Sequence, residues 1–446
     1  MSRTDVGKVM ALALLVGLSL GHPQASDTPA RQPDPAGAAH ALVGARVLGI
    51  GGAPAIDDAT ILIRAGRIEA AGPSRNVRVP QGTRTTALSG KFVLPGLISA
   101  HAHVSDIDGL RPRAYTMANT LRQLGVFARY GVTTVWSLGG EAAPAFQARD
   151  GQAVPGLDRA RIHLAGEIIT AKTPDEARQA VARVAATKPD VIKIRVDDNL
   201  GTTAKMTPEV YRAVIDEAHA RGLRVAAHIF YLDDAKDLLR AGVDVIAHSV
   251  RDRDVDEDFL ALMKTRQAAY VPTLTRELST FVYESTPAFF SDPFFLREAD
   301  PAVVAQLKEP QRQTGFRDSP SAQRYKAALE VAKRNLKRIG DAGILIAMGT
   351  DAGPFPERFQ GFFEHVEMAM MVEAGLTPAQ VLRAATVDAA RAMRIEGVGK
   401  VAPGAWADLL VLNQDPLRHI RNTREIASVW IAGNTVARQA ATDQRR

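Results

Sequence analysis

Between residues 97 and 396 the chain repeats one device: a short run of Val, Ile and Ala, a turn, then a segment with helical periodicity. The strand candidates are Val132–Trp136, Ile162–Ile169, Val191–Val196, Leu223–His228, Val245–His248, Tyr270–Leu274 and Ile344–Met348, with one more ending at His101. Helix starts between them are well marked. Thr173, Pro174 and Glu176 combine an N-cap, a proline at the first helical position and an acid three residues after the cap. Thr207–Pro208 and Thr377–Pro378 repeat the device. Eight strands alternating with helices over about 300 residues suit a (β/α)8 barrel. A doubly wound sheet is the competing architecture. Residues 276–321 show no clear strand and read as a long insertion, of the kind that can serve as a lid.

The two ends differ from this middle. "ALVGARVLGI", "ATILIRAGRIEAAG" and "TTALSGKFVLPG" near the start, and "GAWADLLVLNQDP" and "IASVWIAGNTVA" near the end, are β-branched runs separated by Gly-rich turns. They predict a small composite β-sandwich from residues 41–96 and 397–440, flanking a barrel over 97–396. Before it, Arg3 and Lys8 precede the apolar run "VMALALLVGLSLG", which reads as a secretory signal peptide over residues 1–25. A short membrane anchor or a mis-assigned start is the other reading, although the run is short for a membrane span. Residues 26–40, rich in Pro and Ala, read as a flexible spacer. The expectation is a secreted or periplasmic protein with no membrane anchor after cleavage.

Composition narrows the chemistry. There is no cysteine, so disulfides, thiolate nucleophiles and thiolate metal ligands are all excluded. The formal charge of +6 is spread without a long basic run and aromatic residues are 6%, which argues against a nucleic-acid partner. Two of the ten histidines, His101 and His103, lie one residue apart at a strand end. Side chains two apart on a strand share a face, so both can aim at one metal ion. His228, His248 and Asp351 each end another apolar run, on the face where barrel enzymes place their chemistry. Lys193 stands inside the run "VIKIRV". A buried ammonium needs a partner. Asp197, Asp198 or Asp351 could supply one, or the amine could have reacted with CO2 to give a carbamate able to bridge two metal ions.

The segments "LPGLISAHAH", "DVIKI", "VAAHIF", "VIAHS", "GTDAG", "GLTPAQVLRAAT" and "GAWADLLVL" together resemble the metal-dependent amidohydrolase superfamily, above all its imidazolonepropionase-like and prolidase-like members. The resemblance runs in order from about Ala41 to Val436. It implies a distorted (β/α)8 TIM barrel with a β-sandwich built from both termini. It also implies two divalent metal ions, zinc first and manganese or cobalt as alternatives. His101 and His103 would hold the more buried ion, His228 and His248 the more exposed one, and carbamylated Lys193 would bridge them. Asp351 would touch the buried ion and move the proton of a bridging hydroxide. Ser99 departs from the superfamily, which often has Asp there; the position is not a ligand, but a local hydrogen bond is put in doubt.

The expected activity is hydrolysis of C–N amide bonds in dipeptides or N-acyl amino acids by a metal-bridging hydroxide. A lactonase, esterase or phosphotriesterase on the same site, and a non-catalytic metal-binding or solute-binding protein, stay open. Tyr231 and Arg251 are candidate substrate contacts. Tyr231 reads more readily as a packed loop residue, and Arg251 with Arg253 as a solvated charged run. Glu364, His365 and Glu367 read as an exposed helix face, and His163 and His219 as structural. The partner is a small molecule; a homo-oligomer stays open.

Overall fold

The computed structural model describes residues 39–111 and 115–437. The expected signal peptide and all but the last two residues of the spacer lie outside them. Five strands come first: β1 (His40–Val47), β2 (Ile56–Arg64), β3 (Arg67–Pro73), β4 (Arg84–Ala87) and β5 (Phe92–Pro95). The middle contributes β6 (Leu97–Ala102), β7 (Val132–Ser137), β8 (Arg161–Leu164), β9 (Ile168–Ile169), β10 (Ile192–Arg195), β11 (Val225–His228), β12 (Val245–Ala247) and β13 (Ala269–Val271). The chain then returns with β14 (Leu409–Leu412), β15 (Ile426–Ile431) and β16 (Asn434–Thr435).

The two ends of the chain share one sheet, ordered β16-β15-β14-β5-β1-β2-β3, with β4 beside β1. β3 also hydrogen-bonds to the segment leading into β14, through Ile68 N to Ala405 O at 2.8 Å. The sheet thereby closes round its own core. The unbroken apolar runs of β5 and β14 follow from burial on both faces. Val93, Leu409 and Val411 point into the β-domain core. Leu94, Leu410 and Leu412 point the other way, into the barrel's core. β5 leads into β6 through Gly96, where a Cβ would fall 2.1 Å from Thr133 Oγ1. Only glycine fits there.

The middle is an α/β ring of parallel strands, β6-β7-β8 and β9-β10-β11-β12-β13, with helices outside. The run expected as one strand over Ile162–Ile169 is split into β8 and β9. Gly166 between them takes a left-handed φ of +77° and donates its N–H to Glu141, not to a neighbouring strand. The strand expected over Ile344–Met348 is not a regular strand either. It bonds to β13 through Tyr270 N–Leu345 O (2.9 Å) and to β6 through Ala100 N–Met348 O (2.7 Å), and makes only isolated bridges. This eighth stave carries the distortion of the TIM barrel. Its backbone turns at Asp351, whose φ of +57° no ladder accommodates. β6 is bulged as well: from Ser99 to Ala102 it advances three residues while β7 advances two, from Val135 to Ser137. A bulge re-aims the side chains beyond it.

The 276–321 insertion is helical, with Pro301–Leu307 and Pro310–Arg317 its longest helices before Pro320–Asp341. Tyr283, Phe290 and Phe295 form an aromatic cluster with Tyr130, Phe362 and Phe363. Arg129 grips Glu298 at 2.7 and 2.8 Å. One sequence reading is corrected here. The helix Phe362–Glu373 does not expose Glu364, His365 and Glu367; all three are buried, because the insertion and the ring pack against opposite sides of that helix.

Two outcomes follow. Arg161, at the start of β8, is buried beneath the Trp406 ring and paired with Asp408 at 2.7 Å. Asp408→Ala strands that guanidinium, and a loss of about 3–5 kcal/mol is expected, read as a lower denaturation midpoint. Burial lowers the His365 imidazole to about 3, with Arg297 and Arg424 adding to the effect. The unfolded chain therefore takes up a proton that the fold refuses. Stability should fall as pH drops from about 6.5 toward 3, and His365→Gln should flatten that slope in a pH series of thermal melts.

Candidate metal centre

The bulge in β6 and the strand ends set the geometry. His101 and His103 leave the end of β6, Lys193 sits within β10, and His228 closes β11. His248 follows β12 with a φ of +79°. Asp351 ends the eighth stave. His103 Nε2 lies 2.9 Å, and His101 Nε2 3.4 Å, from Asp351 Oδ1. The donor atoms of these three buried residues fall within 4.8 Å of one another, the spacing a metal ion requires. The other candidates adjoin this group. The His248 ring centre is 4.5 Å from that of His101 and 4.1 Å from that of His228. Lys193 Nζ is 3.3 Å from His101 Nε2. The structure thus brings all six predicted ligand residues close together.

The surroundings select one nitrogen on most of the rings. His103 Nδ1 is 3.0 Å from Gly139 O, and His248 Nδ1 is 2.7 Å from Thr273 Oγ1, which leaves each Nε2 for the centre. The Gly139 peptide is itself held by buried Glu141. That carboxylate accepts from Ser137 Oγ (2.5 Å), Gly139 N (2.8 Å) and Gly166 N (2.7 Å). His101 Nδ1 is buried with no hydrogen-bond partner. His228 Nε2 lies 2.7 Å from Asp197 Oδ2.

Electrostatics favour ligation over protonation. Burial lowers the imidazoles of His101 and His248 well below their usual range, and that of His228 to about 4. Neutral imidazole is the form that binds a metal. Burial also pulls the Lys193 amine down to about 8. Among the described residues Lys193 has no carboxylate within ion-pair distance, so the expected pairing with Asp197, Asp198 or Asp351 is not made. Burial alone would raise the Asp351 carboxyl, but Arg358 and the two histidines hold it well below the ordinary range. The donor set of imidazoles, a carboxylate and a buried amine fits divalent ions.

The two candidate substrate contacts already have protein partners. Tyr231 donates to Asp198 Oδ1 at 2.8 Å and its ring underlies Lys205. Arg251 is not on a solvated face. It is fully buried beneath Phe230, with its Nε 2.9 Å from Glu277. Sequence reasoning missed Glu141, Thr273 and Arg358, and named Asp197 only as a partner for Lys193. Asp197 ends a strand run as the histidines do, and that position was its available signal. Arg358 lies in an irregular loop seven residues after Asp351, where no periodicity marks it. Its Nη1 pairs with Asp351 Oδ2 and its Nε donates to Ser279 Oγ at 3.0 Å. Arg358 also lines a cavity of about 700 Å3 formed with the insertion, whose walls include Arg312, Phe316, Tyr325 and Phe355.

Comparison with known proteins points to one family. The profile described as "Amidohydrolase family" matches residues 92–436. An uncharacterised protein of Mycobacterium tuberculosis is 29% identical over 351 residues, spanning 76% of this chain and 83% of that one. Imidazolonepropionase of Deinococcus radiodurans is 24% identical over 407 residues, 85% of this chain and 92% of the enzyme. Among solved structures, a proposed prolidase from Bifidobacterium longum superposes with a TM-score of 0.72 at 25% identity, covering 90% of this chain and 95% of that one.

If the gathered ligands hold divalent ions, metal bound to the folded state alone stabilises it with the logarithm of free metal over Kd, by about 2.7 kcal/mol at one hundred times Kd. The melting temperature should fall on chelation and return on adding Zn2+ or Mn2+. His101→Asn/His103→Asn should abolish both the response and the metal found by elemental analysis.

Proposed function

The chain belongs to the amidohydrolase family, and on that premise we propose that it is a metal-dependent hydrolase of C–N bonds in small molecules that carry a carboxylate, namely dipeptides or N-acyl amino acids. The observation that carries this reading is the convergence of His101, His103 and Asp351 within 4.8 Å, buried at barrel strand ends, with His228, His248 and Lys193 alongside. Imidazolonepropionase and prolidase, the activities named for two of its relatives, support the choice of bond.

Two divalent ions are the proposed cofactors: His101, His103 and Asp351 would hold one, His228 and His248 the other, with Lys193 as its carbamate between them. Bound there, the ions would polarise the scissile carbonyl and acidify the attacking water. The chain's own groups do the rest. The Asp351 carboxylate, kept ionised by Arg358, is placed to accept the proton of that water and pass it to the leaving amine. The Arg358 guanidinium stands between Asp351 and the 700 Å3 cavity, a position suited to a substrate carboxylate. The aromatic wall of Phe316, Tyr325 and Phe355 suits an apolar group attached to it. The amino-terminal charge and apolar pattern supports export. Among the described residues no helix is long and apolar enough to cross a membrane.

A panel of dipeptides, N-acyl amino acids, lactones and organophosphates, assayed with and without chelator, tests this. Turnover is expected on the first two groups, lost with chelator. Asp351→Asn should lower kcat by about 10²–10⁴-fold. Undiminished turnover in that variant with metal retained would sink the mechanism; preference for lactones or organophosphates would sink the substrate class.

A further inference from the structure

Beside the centre, one buried carboxylate joins two segments that carry ligands. Glu364 is fully buried in the helix Phe362–Glu373. Its Oε1 accepts from Ser99 Oγ at 3.0 Å and from Thr350 Oγ1 at 2.8 Å. Ser99 is the residue at which the β6 bulge begins, two before His101. Thr350 directly precedes Asp351 and also accepts from Ala352 N at 3.0 Å. The same two segments meet again through the backbone, where the N–H groups of Thr350 and Asp351 both point to His101 O, at 2.8 and 2.9 Å.

Neither segment is held by regular pairing at this point. β6 is out of register with β7 between Ser99 and Ala102, and the 344–352 stave makes only isolated bridges. Gly349 lies so close to His101 that a Cβ would fall 2.7 Å from the His101 backbone N. A small relative shift of these segments would therefore change the His101–Asp351 and His103–Asp351 separations directly. One oxygen shared by a hydroxyl from each segment adds a side-chain tie to the backbone bonds between them.

We propose that Glu364 is a positioning residue of the metal centre, whose Oε1 locks the bulged end of β6 to the turn carrying Asp351 and so sets the histidine–aspartate spacing. The inference rests on reading the centre as a metal site. Its requirement is an acceptor oxygen at this point. Glutamine supplies one at the same reach; leucine fills the space without one.

Purified full-length protein, stripped of metal, is titrated with Zn2+ and separately Mn2+ against a chromogenic chelator. Thermal melts of the metal-free forms run in parallel. Glu364→Gln should bind within about threefold of the parent. Glu364→Leu should bind about 10–100-fold more weakly, the usual effect of removing a partner that orients ligands. Leucine binding as tightly as the parent, or glutamine failing as badly as leucine, overturns the proposal. A leucine variant that melts lower yet binds normally marks Glu364 as structural only, and overturns it too. Should Glu364→Leu not fold, Ser99→Ala/Thr350→Val removes both hydroxyls and leaves Glu364 in place. Weaker binding there supports the lock; unchanged binding ends it. A parent protein that takes up no metal instead overturns the metal-centre reading, and this inference with it.

Discussion

The Asp351 carboxylate makes it possible for so many nitrogen bases to sit together out of water. One of its oxygens faces His101 and His103, and the other pairs with Arg358. His228, His248 and Lys193 crowd the same space, and apart from Asp351 the nearby acids are Asp197, bonded to His228, and Glu141 behind the Gly139 peptide. Were the imidazoles protonated, the pocket would hold an uncompensated cationic cluster, and burial makes that costly. Burial of His101, His228 and His248 disfavours their charged forms. Among these rings one nitrogen, His101 Nδ1, is buried without a hydrogen-bond partner.

This arrangement demands unusual backbone. His248, Thr273 and Asp351 all adopt left-handed φ values, +79°, +49° and +57°, although none is glycine. Each costs about 1–3 kcal/mol and persists only where the surroundings over-determine it. The three sit at ends of neighbouring strands, and two of them, His248 and Thr273, are tied to each other by a hydrogen bond. These three place strain at adjoining strand ends of the centre, and the surrounding packing must supply the stability that holds it.

That division explains what could be read in advance. Strand ends announce themselves because an apolar run must stop somewhere, so His101, His103, His228, His248 and Asp351 were visible as the polar residues closing such runs. Lys193 was visible for the opposite reason, a charge where the pattern asked for none. The composite β-domain was legible because both chain ends share the same turn-rich strand pattern. Irregularity was not legible. The bulge at Ser99–Ala102, the break at Gly166 and the bent eighth stave arise from side-chain and backbone bonds to residues far along the chain. So does the role of Arg358, whose loop has no period to interpret.

The helix Phe362–Glu373 shows why charge was a poor guide to exposure. Side chains three and four apart share a helix face. Glu364, Glu367, Met368 and Met371 fall on the side toward the ring, where Glu364 accepts from Ser99 and Thr350, and Glu367 accepts from Leu274 N and Thr275 N. Phe362 and His365 fall on the side of the insertion and the C-terminal segment. There His365 bonds Tyr130 O and Thr423 Oγ1, and Phe362 joins the aromatic cluster. Both faces are covered, so the usual amphipathic contrast has nothing to report. Glu364 accepts from hydroxyls on two irregular strand ends, and Glu367 accepts from the unpaired N–H groups that open the helix Leu274–Leu278. A barrel that bends its strands to aim ligands needs acceptors behind the bends, and this helix supplies them.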